Sequence, residues 1–211
     1  MPHGRLTARR VAAAATRRVR HAPDRRAAVR RARAFASAHP GGVRVCWDLD
    51  NTLVDSGVLL QRGMTLEEAG AAAGPVAGML EFHRAVREQL PGAAHFVLSV
   101  RPRSMRPDTD AWLRRHAVEI GGDDVCLVRS PYDKPAVWRE LARGGRLVVV
   151  DDLSHGHETA AATPYGRLAG QARRIADAYV DLDAIAGIAA DPATARDAAA
   201  RLAAAVVAPT A

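Results

Sequence analysis

Val43-Arg44-Val45-Cys46-Trp47-Asp48-Leu49-Asp50-Asn51-Thr52 opens on a β-branched, apolar run and ends in carboxylates. Two later stretches repeat the arrangement. Ala94-His95-Phe96-Val97-Leu98 runs into Ser99-Val100-Arg101, and Arg146-Leu147-Val148-Val149-Val150 runs into Asp151-Asp152. Short apolar runs of this kind, bounded by Gly or Pro and separated by helical stretches, read as buried parallel strands. The expected fold is therefore α/β with a doubly wound parallel sheet. Ligands of such sheets bind outside the carboxyl ends of the strands. That brings Asp48, Asp50, Ser99, Asp151 and Asp152 to one crevice from distant parts of the chain. One aspartate at a strand end is ordinarily a cap or turn residue. Capping explains the whole set poorly.

Lys134 is the sole lysine, every other basic residue apart from histidine being arginine. A chain that uses arginine so consistently keeps lysine where a compact point charge fits and a planar fork does not. Lys134 lies in Tyr132-Asp133-Lys134-Pro135, where a loop is expected.

Together these residues resemble the haloacid dehalogenase (HAD) superfamily across roughly residues 43 to 160. Asp48-Leu49-Asp50-Asn51-Thr52 is similar to its first motif, DxDxT. Ser99 matches the second, Lys134 the third and Asp151-Asp152 the fourth. The resemblance implies a phosphomonoester hydrolase working through an aspartyl-phosphate. Asp48 would be the nucleophile, Asp50 the general acid and base, and Ser99 with Lys134 the phosphoryl-binding groups. It also implies Mg²⁺ as cofactor, held by Asp48, the Asp50 main-chain carbonyl, and Asp151 and Asp152, with Asp152 the expected direct ligand. An aspartate two places after the nucleophile favours phosphatase chemistry over the family's dehalogenases and transport ATPases.

Between Val54 and Pro75 there is room only for a minimal cap. Thr65-Leu66-Glu67-Glu68 reads as a capping box, and Pro75 is expected to open the helix that follows. Ser99-Val100-Arg101 with the later Thr109-Asp110-Ala111-Trp112-Leu113 resembles polynucleotide kinase-phosphatases and some small nucleotidases. By that likeness Arg101, and with it Arg103, would grip a substrate phosphate, and the following helix starts at Asp108 or Thr109. His155 and His157 follow the fourth motif. Zinc requires three or four N/S ligands, so these histidines are expected to shape the crevice or face solvent.

The formal charge of +7 conceals an asymmetry. Residues 1–40 carry eleven arginines and one acid, and the remainder is mildly acidic. The expected division is an Arg-rich helical arm (1–40), a catalytic domain (41–182) and an Ala-rich helical tail (183–211). The arm suits nucleic acid or another anionic surface; a helical pair packed on the domain, or an Arg-rich transit peptide, fits the same composition. Cys46 and Cys126 fall in expected core strands and read as free thiols. No run of ~18 apolar residues occurs, and the start lacks the apolar core of a signal peptide. A cytoplasmic location is expected. The partners expected are a phosphorylated small molecule or nucleotide, with nucleic acid possible through the arm and no membrane. Two other functions fit: a nucleotide or nucleic-acid-end phosphatase, and a non-catalytic nucleic-acid-binding or scaffold protein.

Overall fold

The computed structural model describes residues 23–159 and 162–208. In chain order, helix α1 (23–38) leads into strand β1 (Val43–Trp47). Three helices follow, α2 (Ser56–Gln61), α3 (Leu66–Ala72) and α4 (Met79–Gln89), and then β2 (Ala94–Val100). Next come α5 (Arg106–Arg115), β3 (Val125–Val128), α6 (Lys134–Leu141) and β4 (Arg146–Val150). A two-stranded ribbon, β5 (Ser154–His155) and β6 (Thr163–Pro164), precedes α7 (Gly166–Ile175) and β7 (Ala178–Val180). Helices α8 (Leu182–Ala190) and α9 (Ala195–Val207) complete the described chain.

Five strands form one parallel sheet in the order β3-β2-β1-β4-β7. Side chains alternate between its faces because the strand period is two. Val45, Trp47, Val97, Val148 and Val150 point into one core, closed by α4, α5, α8 and α9. Cys46, Phe96, Leu98, Cys126 and Val149 point into the other, closed by α1, α6 and α7. A sheet covered on both faces needs apolar residues at every strand position, hence the unbroken runs in the sequence. The architecture is Rossmann-like α/β.

The expected boundaries at residues 40 and 182 fall inside packed structure. Ala28, Ala32 and Phe35 form a helical stripe of α1 buried against the sheet. From the other terminus, Ile185, Ile188, Ala199, Leu202 and Val206 fill the opposite core. The described part of the Arg-rich segment therefore belongs to the domain; residues 1–22 of the expected arm lie outside the described residues.

Two helix starts differ from expectation. Pro75 pairs with Val54 in an isolated bridge, and the chain turns at Gly78, whose φ of 73° is left-handed, before α4 begins at Met79. Helix α5 begins at Arg106, with Pro107 in its first turn, where a missing N–H costs nothing. Thr109 is buried within it. The capping box forms as expected: Thr65 accepts from the Glu68 N–H, and Glu68 accepts from the Thr65 N–H.

The strand order reverses at β1, so the crevice of such a sheet falls between β1 and β4. Register fixes its contents. Trp47 is level with Val150, so Asp48 and Asp151 emerge side by side at the same height. The Asp48 N–H extends the ladder by donating to the Val150 carbonyl at 2.9 Å.

Candidate active site and metal centre

After Asp48 the chain folds into a tight turn around the Leu49 carbonyl, which accepts from the amides of Thr52, Leu53 and Val54 at 2.8–3.1 Å. The turn needs a left-handed residue at Asn51 (φ 61°), a conformation asparagine tolerates better than most residues. Asn51 Oδ1 then accepts from the Gly57 N–H at 2.8 Å, tying α2 to the turn.

The turn sets Asp48 at the floor of a crevice of about 160 Å³ lined by Asp50, Asn51, Ser99, Lys134, Asp151, Asp152, Ser154 and Tyr165, among others. Lys134 is the first residue of α6 rather than part of a loop. Its ammonium is buried, 2.6 Å from Asp151 Oδ2 and 3.0 Å from Asp48 Oδ1. Burial alone would lower its pKa, but Asp151 and Asp48 outweigh burial and hold the lysine firmly charged. Burial pushes the Asp48 carboxyl well above the usual carboxylate range. Lys134 opposes that push, while Asp151, Asp152 and Asp50 reinforce it. Asp151 is pushed up to about 6, by burial first and, against the pull of Lys134, by Asp152.

Carboxylate oxygens of Asp48, Asp151 and Asp152 all lie within 4.8 Å of one another, and all three residues are buried. When ionised they carry three negative charges against the single ammonium. Such an excess is costly in a buried site unless a further cation shares it. Asp48 Oδ1 meets the Lys134 ammonium at 3.0 Å and has two lone pairs, so it keeps capacity for another partner. An all-oxygen donor set suits a hard divalent ion such as Mg²⁺. The residues fit that ion, and Asp48, Asp151 and Asp152 would hold it.

Asp152 is the most supported carboxylate. Thr52 Oγ1 donates to its Oδ1 at 3.3 Å and accepts from its N–H at 3.2 Å. Its Oδ2 accepts from Ser154 Oγ and lies 3.2 Å from His157 Nε2, which is itself 2.6 Å from Ser154 Oγ. His157 thus braces a carboxylate and is not a member of the oxygen cluster; exposed His155 packs against Tyr165. Among the described residues a zinc site finds no N or S ligand set here.

Asp50 and Arg101 sit differently from expectation. The Asp50 side chain is outside the three-carboxylate cluster, a placement compatible with ligation through its main-chain carbonyl alone. Its carboxylate accepts from Arg101 Nε and Nη2, each at 2.7 Å, and lies 3.4 Å from Ser99 Oγ. The Arg101 guanidinium is fully buried, with its remaining nitrogen donating to Thr109 Oγ1 at 3.1 Å. Gly70 of α3 lies directly over it: a Cβ there would stand 2.6 Å from Met105 Cε and 3.3 Å from Arg101 Nη2. Arg101 therefore clamps Asp50 and does not face the crevice as a substrate arginine.

Arg103 is further removed. It pairs with Asp24 of α1 at 2.9 Å and lines a larger cleft, of about 860 Å³, between α1 and the β3 edge. That cleft is bigger than the acid crevice, yet its charges are largely spent on one another, Arg31 on Asp123 and Arg103 on Asp24. Size alone does not make it the reactive site.

Thr52, Ser154 and Tyr179 support the site without an expected role of their own. Thr52 had a signal, being the last residue of the first motif. Tyr179, which donates to the Asp151 carbonyl at 2.9 Å from β7, had none. Searches of protein-family models, of curated proteins and of solved structures found no match to this chain.

Proposed function

We propose that the protein is a Mg²⁺-dependent phosphomonoesterase of the HAD type. The observation that carries the reading is Lys134 seated between Asp48 and Asp151, with Asp152 beside them, in a crevice that also takes in Asp50 and Ser99. An anionic nucleophile, a fixed cation and an oxygen-lined metal position meet there, which is the equipment that attack on a phosphate dianion requires.

In this reading an Asp48 carboxylate oxygen attacks phosphorus, and the bond to the leaving oxygen breaks as Asp50 gives that oxygen a proton. Water then attacks the aspartyl-phosphate. Asp50 takes one proton from the water, the bond between phosphorus and Asp48 breaks, and inorganic phosphate leaves. The metal, when bound, neutralises charge between Asp48 and the substrate phosphate. Lys134 and Ser99 hold the phosphoryl oxygens. Asp50 can act only if one of its two Arg101 bonds opens as the leaving group enters, so Arg101 sets where the acid stands.

A non-catalytic role leaves the cluster without a purpose. Three buried carboxylates around one lysine cost stability, and a binding scaffold has no need of them.

The test uses the full chain with 4-nitrophenyl phosphate. Hydrolysis is expected with Mg²⁺ and lost in excess chelator. Asp48→Asn is expected to cut turnover by ~10⁴-fold or more while the near-UV circular dichroism stays native. Mg²⁺ is also expected to raise the melting temperature of the wild-type chain, a readout independent of turnover. Retained turnover in Asp48→Asn, or full activity in chelator, would overturn the proposal.

A further inference from the structure

Aromatic side chains in this protein are almost all hidden. Its three tryptophans and three phenylalanines are buried in the two cores. Of the three tyrosines, Tyr179 reaches back under the sheet to the Asp151 carbonyl. The other two meet at the mouth of the acid crevice. Tyr165 lines the crevice itself, and the Tyr132 ring stands 6.1 Å from it at 68°. The His155 ring meets the Tyr165 ring at 4.6 Å, tilted by 51°. Tyr132 is 63 % exposed, against at most 6 % for any tryptophan or phenylalanine.

Three segments supply these rings. Tyr132 sits in the turn just before Lys134, His155 on β5, and Tyr165 between β6 and α7. Single exposed apolar residues need no explanation. Rings gathered from three segments beside a charged crevice, set at 68° and 51° to one another, make an angled aromatic rim, and its exposed member, Tyr132, offers a face on which a flat ring can stack. The crevice behind them, at about 160 Å³, takes a phosphoryl group and a few waters, so the rest of a substrate must lie outside it. The aromatic rim is beside that exit.

We propose that Tyr132, Tyr165 and His155 form the leaving-group subsite and that the substrate is a phosphomonoester whose leaving group carries a planar aromatic ring, a nucleoside or a phenol. This rests on the phosphatase reading above. Stacking holds the ring while Lys134 and Ser99 hold the phosphoryl group, and remote contact of this kind fixes the reacting atoms in register.

The experiment compares kcat/KM for adenosine 5′-monophosphate, 4-nitrophenyl phosphate and glycerol 2-phosphate with Mg²⁺ present. Because each substrate is referred to its own wild-type value, intrinsic reactivity cancels. Tyr132→Ala is expected to lower the aromatic-to-glycerol preference about tenfold, and Tyr132→Phe to retain it. Val207→Ala, an equally exposed apolar site remote in sequence, serves as control. A loss confined to the nucleotide identifies a nucleoside, and one confined to the nitrophenyl ester a phenol. Equal losses on all three substrates, or none, would refute the subsite. If the wild type hydrolyses none of them, the phosphatase reading fails, and calorimetric binding then decides the subsite. Adenosine 5′-monophosphate is expected to bind tenfold tighter than ribose 5-phosphate, with the difference lost in Tyr132→Ala. Equal affinities would overturn the proposal.

Discussion

At the carboxyl end of the strands, Asp48, Asp151, Asp152 and Lys134 are buried as charges that only partly neutralise one another. At the amino end, Arg44 and His83 are buried and His95 is half-buried, and each is held by neighbours that are not carboxylates. Arg44 Nη1 donates to the Leu141 and Arg143 carbonyls at 2.7 and 3.0 Å, and its Nη2 to those of Ala36 and His39 at 3.0 and 2.6 Å. One guanidinium thus ties the carboxyl termini of α1 and α6 to β1, where helix dipoles favour a cation. His95 Nδ1 accepts from Trp47 Nε1 at 3.0 Å, and the His83 ring packs on Trp47. Burial of an ionisable side chain is common to both ends. What sets the carboxyl end apart is three carboxylates converging within 4.8 Å of one another, and that is the mark of a site.

The contrast can be broken from either side. Arg44→Met removes the guanidinium and leaves four carbonyls short of a donor, three of them at helix ends. We expect a loss of about 3 kcal/mol in urea unfolding, with kcat of the folded protein within twofold of wild type. A large fall in kcat at unchanged stability would mean that the amino end serves the chemistry. Lys134→Arg makes the opposite test, since it keeps charge and changes shape. The wider guanidinium must displace Asp48 or Asp151, now 3.0 and 2.6 Å from the ammonium. Displacement on the ångström scale costs on the order of a hundredfold in rate, ~2.7 kcal/mol in the barrier. Steady-state kinetics within twofold of wild type would show that any cation suffices there.

The carboxyl end was legible because strand period and strand ends are local properties. Buried runs announce the strands, and the residue after each run must lie at the sheet's edge whatever surrounds it. So Asp48, Ser99, Asp151 and Asp152 could be gathered from sequence, with Lys134 singled out by composition. The Asp50 partner of Arg101 is chosen by tertiary structure and cannot be read from sequence. Gly70 lets α3 close over the guanidinium and turns it toward Asp50, and nothing near Arg101 in sequence reports that. Helix α1 shows a different limit. Alanine and arginine at helical spacing suit a helix on water or on a phosphate surface, and only the Ala28, Ala32 and Phe35 stripe says that one side faces a sheet. At the amino end, the histidines could not be told from solvated ones by sequence.

The smallest expected effect separates the two ends by the sign of their response to pH. Burial, aided by nearby arginines, lowers His83 to about 4; burial, with His83 adding, lowers His95 to about 3. In the unfolded chain both titrate near 6.5. Above that pH both are neutral in either state. As pH falls below it, the unfolded chain takes up protons that the folded chain refuses, so stability declines until the folded values are reached. Asp151 responds in the opposite sense. Its folded value of about 6 exceeds that of an unfolded aspartate, so the folded state gains a proton first and this contribution strengthens as pH falls through 6. In excess chelator, His83→Leu should therefore gain ~1 kcal/mol on wild type between pH 7.5 and 5.5. The stability of Asp151→Asn relative to wild type should fall across the same interval. Urea unfolding at the two pH values checks both. Differences that stay flat for His83→Leu would show that His83 is not held neutral, and parallel shifts in the two variants would show that both ends titrate alike.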